Sequence, residues 1–461
     1  MPRAVSSQVD LDVAENGYMT PREDFFTRRT QSPNNRVKGH SQDHEENPSN
    51  PFQDASVTRP NQPNAESLAR MISNARKEKR GSKIGLRDRI CCFQWTWFTM
   101  TMATGGIANV LYTISNVYKA EWLWYIGLVF FILNLVLFVM SCILIAMRFA
   151  MVPGSFMHSF LDQMESLFIP AVVVSVATIM INICEYGIPY TGPWLQHVME
   201  WLFWVYVIVS VSASAGMYLI LWSTQVFPIH TMTPVWVFPA YPLLLTAPFA
   251  TNLIAADRVG SGDPEINRLA IAVCAVTVQG TGFLISFMIC AAFIYRLMTQ
   301  KLPRDMQRPG VFISIGPPAF TVAGFVALGQ QADIILPANL QGEPHFIFIL
   351  QVLSILIGLW LWGLSIWFFL VSVGSLWKYV RPCGVKHKMP FQMTWWSFVF
   401  PNTALITATE ALAQALNSDG LKIFGCVMAA ALIIVWTLVF ITMVKCLWKR
   451  QLLWPKELES E

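Results

Sequence analysis

Residues 308–320 read Arg-Pro-Gly-Val-Phe-Ile-Ser-Ile-Gly-Pro-Pro-Ala-Phe and open an apolar segment that continues to about Gly329. Pro309 suits the first turn of a helix, where its missing N–H would have no partner. The Gly-Pro-Pro triplet at 316–318 instead removes backbone hydrogen bonds and bends the helix axis. In lipid, such a break is tolerated only where protein or a water-filled cavity satisfies the freed groups. The stretch therefore predicts a broken membrane helix with a protein or water neighbour.

One face of this segment is small and mildly polar. In steps of about 100° per residue, a helix aligns Gly310, Ser314, Pro317, Thr321 and Gly324. A stripe of this kind suits the wall of a pore, but small residues also let helices pack closely. Both interpretations stay open for this helix taken alone.

The composition indicates a polytopic membrane protein. The 461 residues are 54% hydrophobic and only 13% charged, with 18 Trp and 31 Phe. Apolar runs of roughly 20 residues can each cross a bilayer, and Trp favours its interfaces. The nine Cys contain no Cys-x-x-Cys pattern, so we expect reduced, buried thiols and no disulfide framework, metal or other cofactor.

The chain divides into four predicted regions. Residues 1–65 are polar and rich in Asn, Gln, Ser and Pro, which predicts a disordered cytoplasmic tail. Residues 66–90 combine helical spacing with a basic cluster, which is typical of an interfacial segment on the lipid bilayer. Nucleic acid is the other partner of a basic run, but a position directly before a membrane helix favours lipid. Residues 91–450 form the predicted ten-helix domain, and 451–461 form a short cytoplasmic tail.

Ten apolar segments follow the basic cluster, and we number them in chain order. Their approximate ranges are 92–114, 121–147, 164–185, 195–222, 234–256, 266–298, 309–330, 343–377, 391–414 and 420–448. Basic residues concentrate in the loops after segments six and eight and behind segment ten, whereas the other loops are acidic. By the positive-inside rule, both termini are cytoplasmic.

Odd- and even-numbered segments differ in composition. Segments two, eight and ten are dominated by large apolar residues, and segment four is an exception with Glu200 and several serines. The odd segments carry Gly or Pro breaks and stripes of small polar residues, which make them candidates for a pore lining. The candidates are Thr101, Thr104, Gly105, Gly106, Ser175, Thr178, Asn182, Thr246, Ser314, Pro317, Thr321, Thr403 and Thr407. We therefore predict an all-α membrane protein of ten transmembrane helices, arranged as five helical hairpins around a central pore.

The predicted pore wall is polar but nearly uncharged. All five odd helices begin at the cytoplasmic face, where their positive dipole ends each favour an anion by a fraction of a kcal/mol. Arg308 lies at the same mouth and is the clear candidate cation. Weak, uncharged donors suit a permeating anion, which must enter and also leave.

Carboxylates near or within the segments are further candidates, because an ionisable residue at membrane depth is usually functional. Glu410 is either a proton-coupling site or the partner of a polar neighbour. Glu165 and Glu185 lie near interfaces, where a structural role is at least as well supported. The sequence contains no Ser/His/Asp arrangement, His-Glu-x-x-His motif or phosphate-cradling Gly loop, so no enzyme is predicted.

Three motifs resemble the tellurite-resistance/dicarboxylate transporter family, and in particular its fungal malic acid transport proteins. The first motif, residues 93–106, reads Phe-Gln-Trp-Thr-Trp-Phe-Thr-Met-Thr-Met-Ala-Thr-Gly-Gly and is similar to the first helix of that family. The others are residues 308–320 and the Trp-Ser-Phe-Val-Phe-Pro-Asn stretch at 396–402 with Glu410. The likeness covers roughly residues 90–450. Fungal sulfite efflux pumps share the fold, and plant slow anion channels are more distant relatives.

The resemblance implies ten helices around a pore, often as homotrimers, with a phenylalanine of the ninth helix blocking the pore. The matching position is Phe400, which lies on the same predicted face as Thr403 and Thr407. The implied substrate is a C4-dicarboxylate, chiefly malate, carried across the plasma membrane by a proton-linked carrier or a channel. The alternative is an exporter of sulfite or another small inorganic anion. A receptor or scaffold whose bundle only anchors the N-terminal tail is a rival from another class.

Overall fold

The computed structural model describes residues 85–257, 266–337, 345–380 and 389–454, and this part of the chain is helical without strands. The predicted disordered tail and most of the basic segment lie outside the described residues. The same holds for most residues of three predicted loops and of the C-terminal tail, at 258–265, 338–344, 381–388 and 455–461.

The even-numbered segments are long, continuous α-helices. They span Glu121–Met151, Pro193–Thr224, Arg268–Gln300, Phe346–Ser375 and Asp419–Trp448. The odd-numbered segments are interrupted. Segment one comprises Trp95–Trp97 and Phe98–Tyr118, and segment three comprises Glu165–Phe168, Ala171–Asn182 and Ile183–Gly187. Segment five comprises Pro234–Leu245 and Thr246–Asp257, and segment seven comprises Asp305–Ile315 and Gly316–Gln330. Segment nine comprises Met393–Phe398 and Phe400–Ala415.

Eight of the helical stretches in the described ranges are long and apolar enough to cross a membrane. Segments one and nine are shorter or more polar and do not meet that criterion. The chain is therefore an all-helical, multi-span membrane protein.

Proline explains the breaks in segments five, seven and nine. The first half of each is a 3₁₀ helix, and 3₁₀ runs longer than about four residues are uncommon. Each proline lacks an N–H and leaves a carbonyl short of a donor. Three such carbonyls receive a side-chain hydrogen bond instead: Trp236 from Tyr218 at 3.1 Å, Ile313 from Tyr241 at 2.5 Å and Phe398 from Asn402 at 2.8 Å.

Burial separates the two classes of segment. In their most apolar stretches, segments three, five and seven are 78%, 94% and 83% buried, whereas no even-numbered segment exceeds 33%. The even segments leave large apolar side chains exposed, among them Val129, Trp360 and Ile434. The interrupted helices thus form the inside of the bundle.

Segment seven packs against segment five at three glycines, of which Gly310 and Gly324 belong to the stripe of small residues noted above. A Cβ atom added to any of the three would collide with segment five. The added Cβ would lie 2.8 Å from Val235 Cγ2 at Gly310, 2.3 Å from Tyr241 Oη at Gly316 and 2.5 Å from Ala247 Cβ at Gly324. At Gly310 and Gly324, the stripe serves close helix packing.

We expect Gly324→Ala to lower the melting temperature of the purified protein. The new methyl group would lie 2.5 Å from Ala247 Cβ and 3.2 Å from the Ala247 carbonyl carbon, neither of which can rotate away. The cost should be about 1–3 kcal/mol, as for other overpacked contacts.

Gly363→Ala is the matched control, because a Cβ at Gly363 meets nothing within 4 Å. Helices favour Ala over Gly by about 0.5–1 kcal/mol, so this variant should melt at or above the wild-type temperature. Equal melting temperatures for the two variants in detergent would contradict the packing described here.

Candidate functional site

A cavity of about 390 Å³ lies among the odd-numbered segments. All five contribute to its wall, for example through Asn109, Cys184, Asn252, Ala323 and Gln414. Within the described ranges, no even-numbered segment reaches it. We call this cavity the vestibule.

The vestibule opens at the C-terminal ends of the odd segments. Asn116, Ala255 and Gln414 lie on its wall and are exposed, whereas Phe320 and Phe400 at the opposite end are buried. The wall therefore leads from an accessible rim to a closed interior end.

Three aromatic rings close the interior end, and we call them the plug. The ring centroid of Phe400 lies 5.2 Å from that of Phe320 and 6.0 Å from that of Tyr241. Tyr241 and Phe320 are 6.4 Å apart, so each ring contacts the other two. Phe238 stacks on Tyr241 from the side of the 3₁₀ half of segment five, at 5.1 Å. Segments five, seven and nine thus meet in one apolar cluster.

The backbone of segment nine places Phe400 in the plug. The segment changes from 3₁₀ to α-helix at Val399, whose φ and ψ are −104° and −63°. Thr403, one turn later, donates to the Phe400 carbonyl at 2.6 Å. Segment one approaches closely here, since a Cβ on Gly106 would lie 2.6 Å from Thr403 Oγ1. Gly106 therefore allows the first helix to pack beside the plug.

Neutral polar groups cover much of the vestibule wall. Amides come from Asn109, Asn116, Asn252, Gln330, Gln331 and Gln414, and hydroxyls from Thr113, Thr178, Thr251, Thr403 and Thr407. No Lys, Arg or His among the described residues lies on this wall, and Glu185 is its one carboxylate. The amide N–H groups can donate hydrogen bonds to carboxylate oxygens. The five threonine hydroxyls already donate to backbone carbonyls of their own helices. The arrangement can therefore bind an anion weakly without a fixed cation.

Five of the residues proposed from sequence lie on the wall: Gly106, Thr178, Phe400, Thr403 and Thr407. Segment nine is a regular α-helix from Phe400 onward, so counting at 3.6 residues per turn places Phe400, Thr403 and Thr407 on one face, and all three line the vestibule.

The candidates of segments one and three mostly join these two helices. The hydroxyls of Thr101 and Ser175 lie 2.6 Å apart, and Asn182 donates to the Gly105 carbonyl at 3.0 Å. Thr104 accepts a hydrogen bond from Trp436 of segment ten at 3.2 Å. None of these side chains lines the vestibule.

The candidates of segments five and seven are also buried between helices. Ser314 donates to the Val311 carbonyl, and Thr321 accepts from Gln279 of segment six at 3.2 Å. Thr246 and Pro317 are buried without reaching the wall. Counting at 100° per residue across the 3₁₀ half of segment seven shifts the predicted face, because a 3₁₀ helix turns about 120° per residue.

Sequence reasoning passed over several wall residues. Asn109, Thr113 and Asn116 recur at helical spacing in segment one, and this spacing was a usable signal. The sequence singles out Glu185 only as a carboxylate near an interface. Its place on the wall does not follow from helical spacing, because it lies in a π-helical turn, Ile183–Gly187, where the regular phase is lost.

Arg308 lies away from the vestibule and its guanidinium is occupied. It donates to the carbonyls of Ser375 at 2.8 Å and Pro303 at 3.2 Å, and pairs with Asp305 at 3.1 Å. Lys378 binds the same carboxylate at 2.5 Å. These contacts join the start of segment seven to the end of segment eight.

Glu410 is fully buried on the side of segment nine that faces segment ten. A Cβ on Gly425 would lie 2.1 Å from Glu410 Oε1, so the two helices are in close contact there. Neither carboxyl oxygen has a hydrogen-bond partner among the described residues. Glu410 is not on the vestibule wall.

Comparison with known proteins agrees with this arrangement. Residues 92–444 match the voltage-dependent anion channel family. The chain belongs to this family. It is 27% identical to a malic acid transport protein of Schizosaccharomyces pombe over 81% of this chain and 82% of that protein. It is 26% identical to a sulfite efflux pump of Trichophyton rubrum over 79% of this chain and 94% of that protein. These findings confirm the resemblance predicted from the three motifs.

In this anion-channel family member, we expect Phe400→Ala to increase anion conductance. The substitution removes the ring that contacts both other members of the plug, so water and ions can enter the constriction. Conductance should rise about tenfold for each 1.4 kcal/mol that the ring adds to the barrier. Voltage-clamped planar bilayers containing the purified protein provide the measurement.

Phe398→Ala is the control for this experiment. Phe398 packs against Phe312 at 5.1 Å and Trp395 at 5.8 Å and is not on the wall. It should lower stability and leave conductance near the wild-type level. A leak in Phe398→Ala together with a closed Phe400→Ala would show that the plug is assigned to the wrong face.

Proposed function

We propose that this protein transports C4-dicarboxylates, chiefly malate, across the plasma membrane through a pathway gated by Phe400. The observation that carries the proposal is the vestibule, in which neutral polar side chains from five helices surround a space closed by an aromatic plug. Similarity to proteins named malic acid transport proteins supports the substrate. Membership of an anion-channel family supports a transporter rather than an enzyme.

The proposed architecture has ten membrane spans in five hairpins. We count segments one and nine as the remaining two spans. They line the same vestibule as segments three, five and seven, which are long and apolar enough to cross a membrane. The exposed apolar faces of the even segments would contact lipid. The basic residues of the loops at 301–308 and 378–390 support cytoplasmic termini, and the vestibule would then open to the outside. A homotrimer is part of the proposal through the family resemblance alone.

Substrate carboxylates would bind the amides of the vestibule. The side chains of Asn109, Gln330 and Gln414 lie on the wall and make no hydrogen bond with other described residues, so their N–H groups are available. We assign Arg308 to positioning segment seven, since its donors are already used. Proton linkage also belongs to the proposal. The acid that the sequence singles out, Glu410, faces Gly425 and is not on the vestibule wall, so we do not assign the proton to it.

Sulfite or another small inorganic anion is the second candidate substrate. It is favoured by the sulfite efflux pumps, which match this chain at nearly the same identity and over 94% of their own length. The uncharged wall itself does not discriminate between the two anions.

Uptake of labelled malate and labelled sulfite into liposomes containing the purified protein tests the proposed function. We expect malate to enter faster than sulfite and to be displaced by unlabelled C4-dicarboxylates. Protein-free liposomes supply the background. Sulfite flux without malate flux would replace the first candidate by the second, and flux of neither would refute both.

A second prediction concerns the anion-binding wall. Asn109→Asp places a negative charge in the vestibule and should reduce malate uptake at neutral pH at least about tenfold, which is 1.4 kcal/mol of repulsion. Asn109→Ala removes one donor without adding charge. It should raise the half-saturating malate concentration only by the few-fold expected for one neutral hydrogen bond of about 1 kcal/mol. Equal uptake by the Asp and Ala variants would show that Asn109 does not face the anion.

A further inference from the structure

Glu185 is the one acidic side chain on the described wall of the vestibule. It lies in the middle of the π-helical turn Ile183–Gly187, and such turns are frequent at functional sites. The residue is only 3% exposed, and its Oε2 atom has no hydrogen-bond partner in the described part of the chain. A buried carboxylate thus borders an aqueous cavity without a counter-charge.

The groups around Glu185 are uncharged. Segment three contributes the neighbouring Cys184 and Tyr186, followed by Tyr190, and segment one contributes Tyr112. No Lys, Arg or His among the described residues forms a salt bridge with Glu185.

Segment five also packs against the π-helical turn, and its titratable group is Asp257. The Asp257 carboxylate is already bound by Arg268 and Gln196. It therefore offers Glu185 neither a proton nor a counter-charge.

An ionised Glu185 is incompatible with a second negative charge in this small space. Burying an unpaired carboxylate is costly in itself, and an entering dicarboxylate would add repulsion that no cation on the wall offsets. A protonated Glu185 removes that repulsion, and its O–H becomes one more donor for a substrate carboxylate. Proton uptake and anion uptake therefore favour each other.

We propose that Glu185 is the proton-binding group of the anion site, so that the vestibule takes up a dicarboxylate together with one proton. This inference rests on the proposed function and adds the group that links the two ions. The step is a proton transfer from water to the Glu185 carboxylate, with no bond of the substrate broken. By linkage, each ligand strengthens binding of the other by the same factor. Glu410 does not share this position, because it faces Gly425 outside the vestibule.

Proteoliposomes with labelled malate test this inference through Glu185→Gln. In the wild type, the half-saturating malate concentration should fall as pH falls, approaching the limit of about tenfold per pH unit for one linked proton. An imposed pH gradient, acidic outside, should drive malate accumulation. Glu185→Gln should lose proton-driven accumulation, and its malate–malate exchange should show a flatter pH dependence than that of the wild type. Protonation of malate itself is common to all variants, so the difference between them reports the protein.

Glu410→Gln is the matched control and should behave as the wild type. Loss of proton-driven accumulation in Glu410→Gln, with its retention in Glu185→Gln, would overturn the assignment. Wild-type exchange with an unaltered pH dependence in Glu185→Gln would also overturn it while leaving malate transport intact. Absence of malate exchange by the wild type would instead refute the proposed function and this inference together.

Glu185→Asp keeps the test decisive even if the Gln variant does not fold. It retains the acid but withdraws it by one methylene group, so the slope of the pH dependence should persist while its midpoint moves. A residue with only a packing role would leave the midpoint unchanged, and that result would overturn the proposal.

Discussion

Every backbone carbonyl that a proline leaves without an N–H donor inside the membrane domain must receive a hydrogen bond from elsewhere. Tyr218, Tyr241 and Asn402 supply these bonds in segments five, seven and nine. Tyr241 has a second task, because its ring contacts Phe400 in the plug. The hydroxyl that binds the broken backbone of segment seven thus belongs to a ring against which Phe400 packs. Tyr241 links the break in segment seven to the plug.

Polar side chains inside the bundle fall into two spatial groups. In the N-terminal halves of segments one and three, pairs such as Thr101 with Ser175 bind one helix to another. The ion pair of Arg148 with Glu165 serves the same end at the start of segment three. In the C-terminal halves, amides and hydroxyls face the vestibule instead. The closed half is therefore cross-linked by its side chains, and the open half keeps amide donors available for a solute.

The sequence predicted the character of the segments better than the faces of their helices. The contrast between odd and even segments follows from composition, which decides what can stay exposed in lipid. The face of segment nine was predictable because Phe400, Thr403 and Thr407 lie on one uninterrupted α-helix. The face of segment seven was not, since its 3₁₀ half changes the angle between residues. In segment three, helical spacing applies as far as Asn182 and fails only in the π-helical turn that follows. Arg308 was taken for a substrate ligand because its partners Asp305 and Ser375 are defined by tertiary structure. The predicted N-terminal tail and most of the basic segment lie outside the described residues.

The one-sided vestibule also has an electrical consequence. Water in an open vestibule conducts, so a transmembrane voltage falls mainly across the plug of Tyr241, Phe320 and Phe400 and the closed half of the bundle beyond it. Each elementary charge gains or loses about 2.3 kcal/mol per 100 mV across the whole membrane. Here that work begins at the plug and is concentrated in the closed half. The field acting on an ion at the plug is therefore steeper than in a uniform bilayer, and a displacement of Phe400 changes where that field begins.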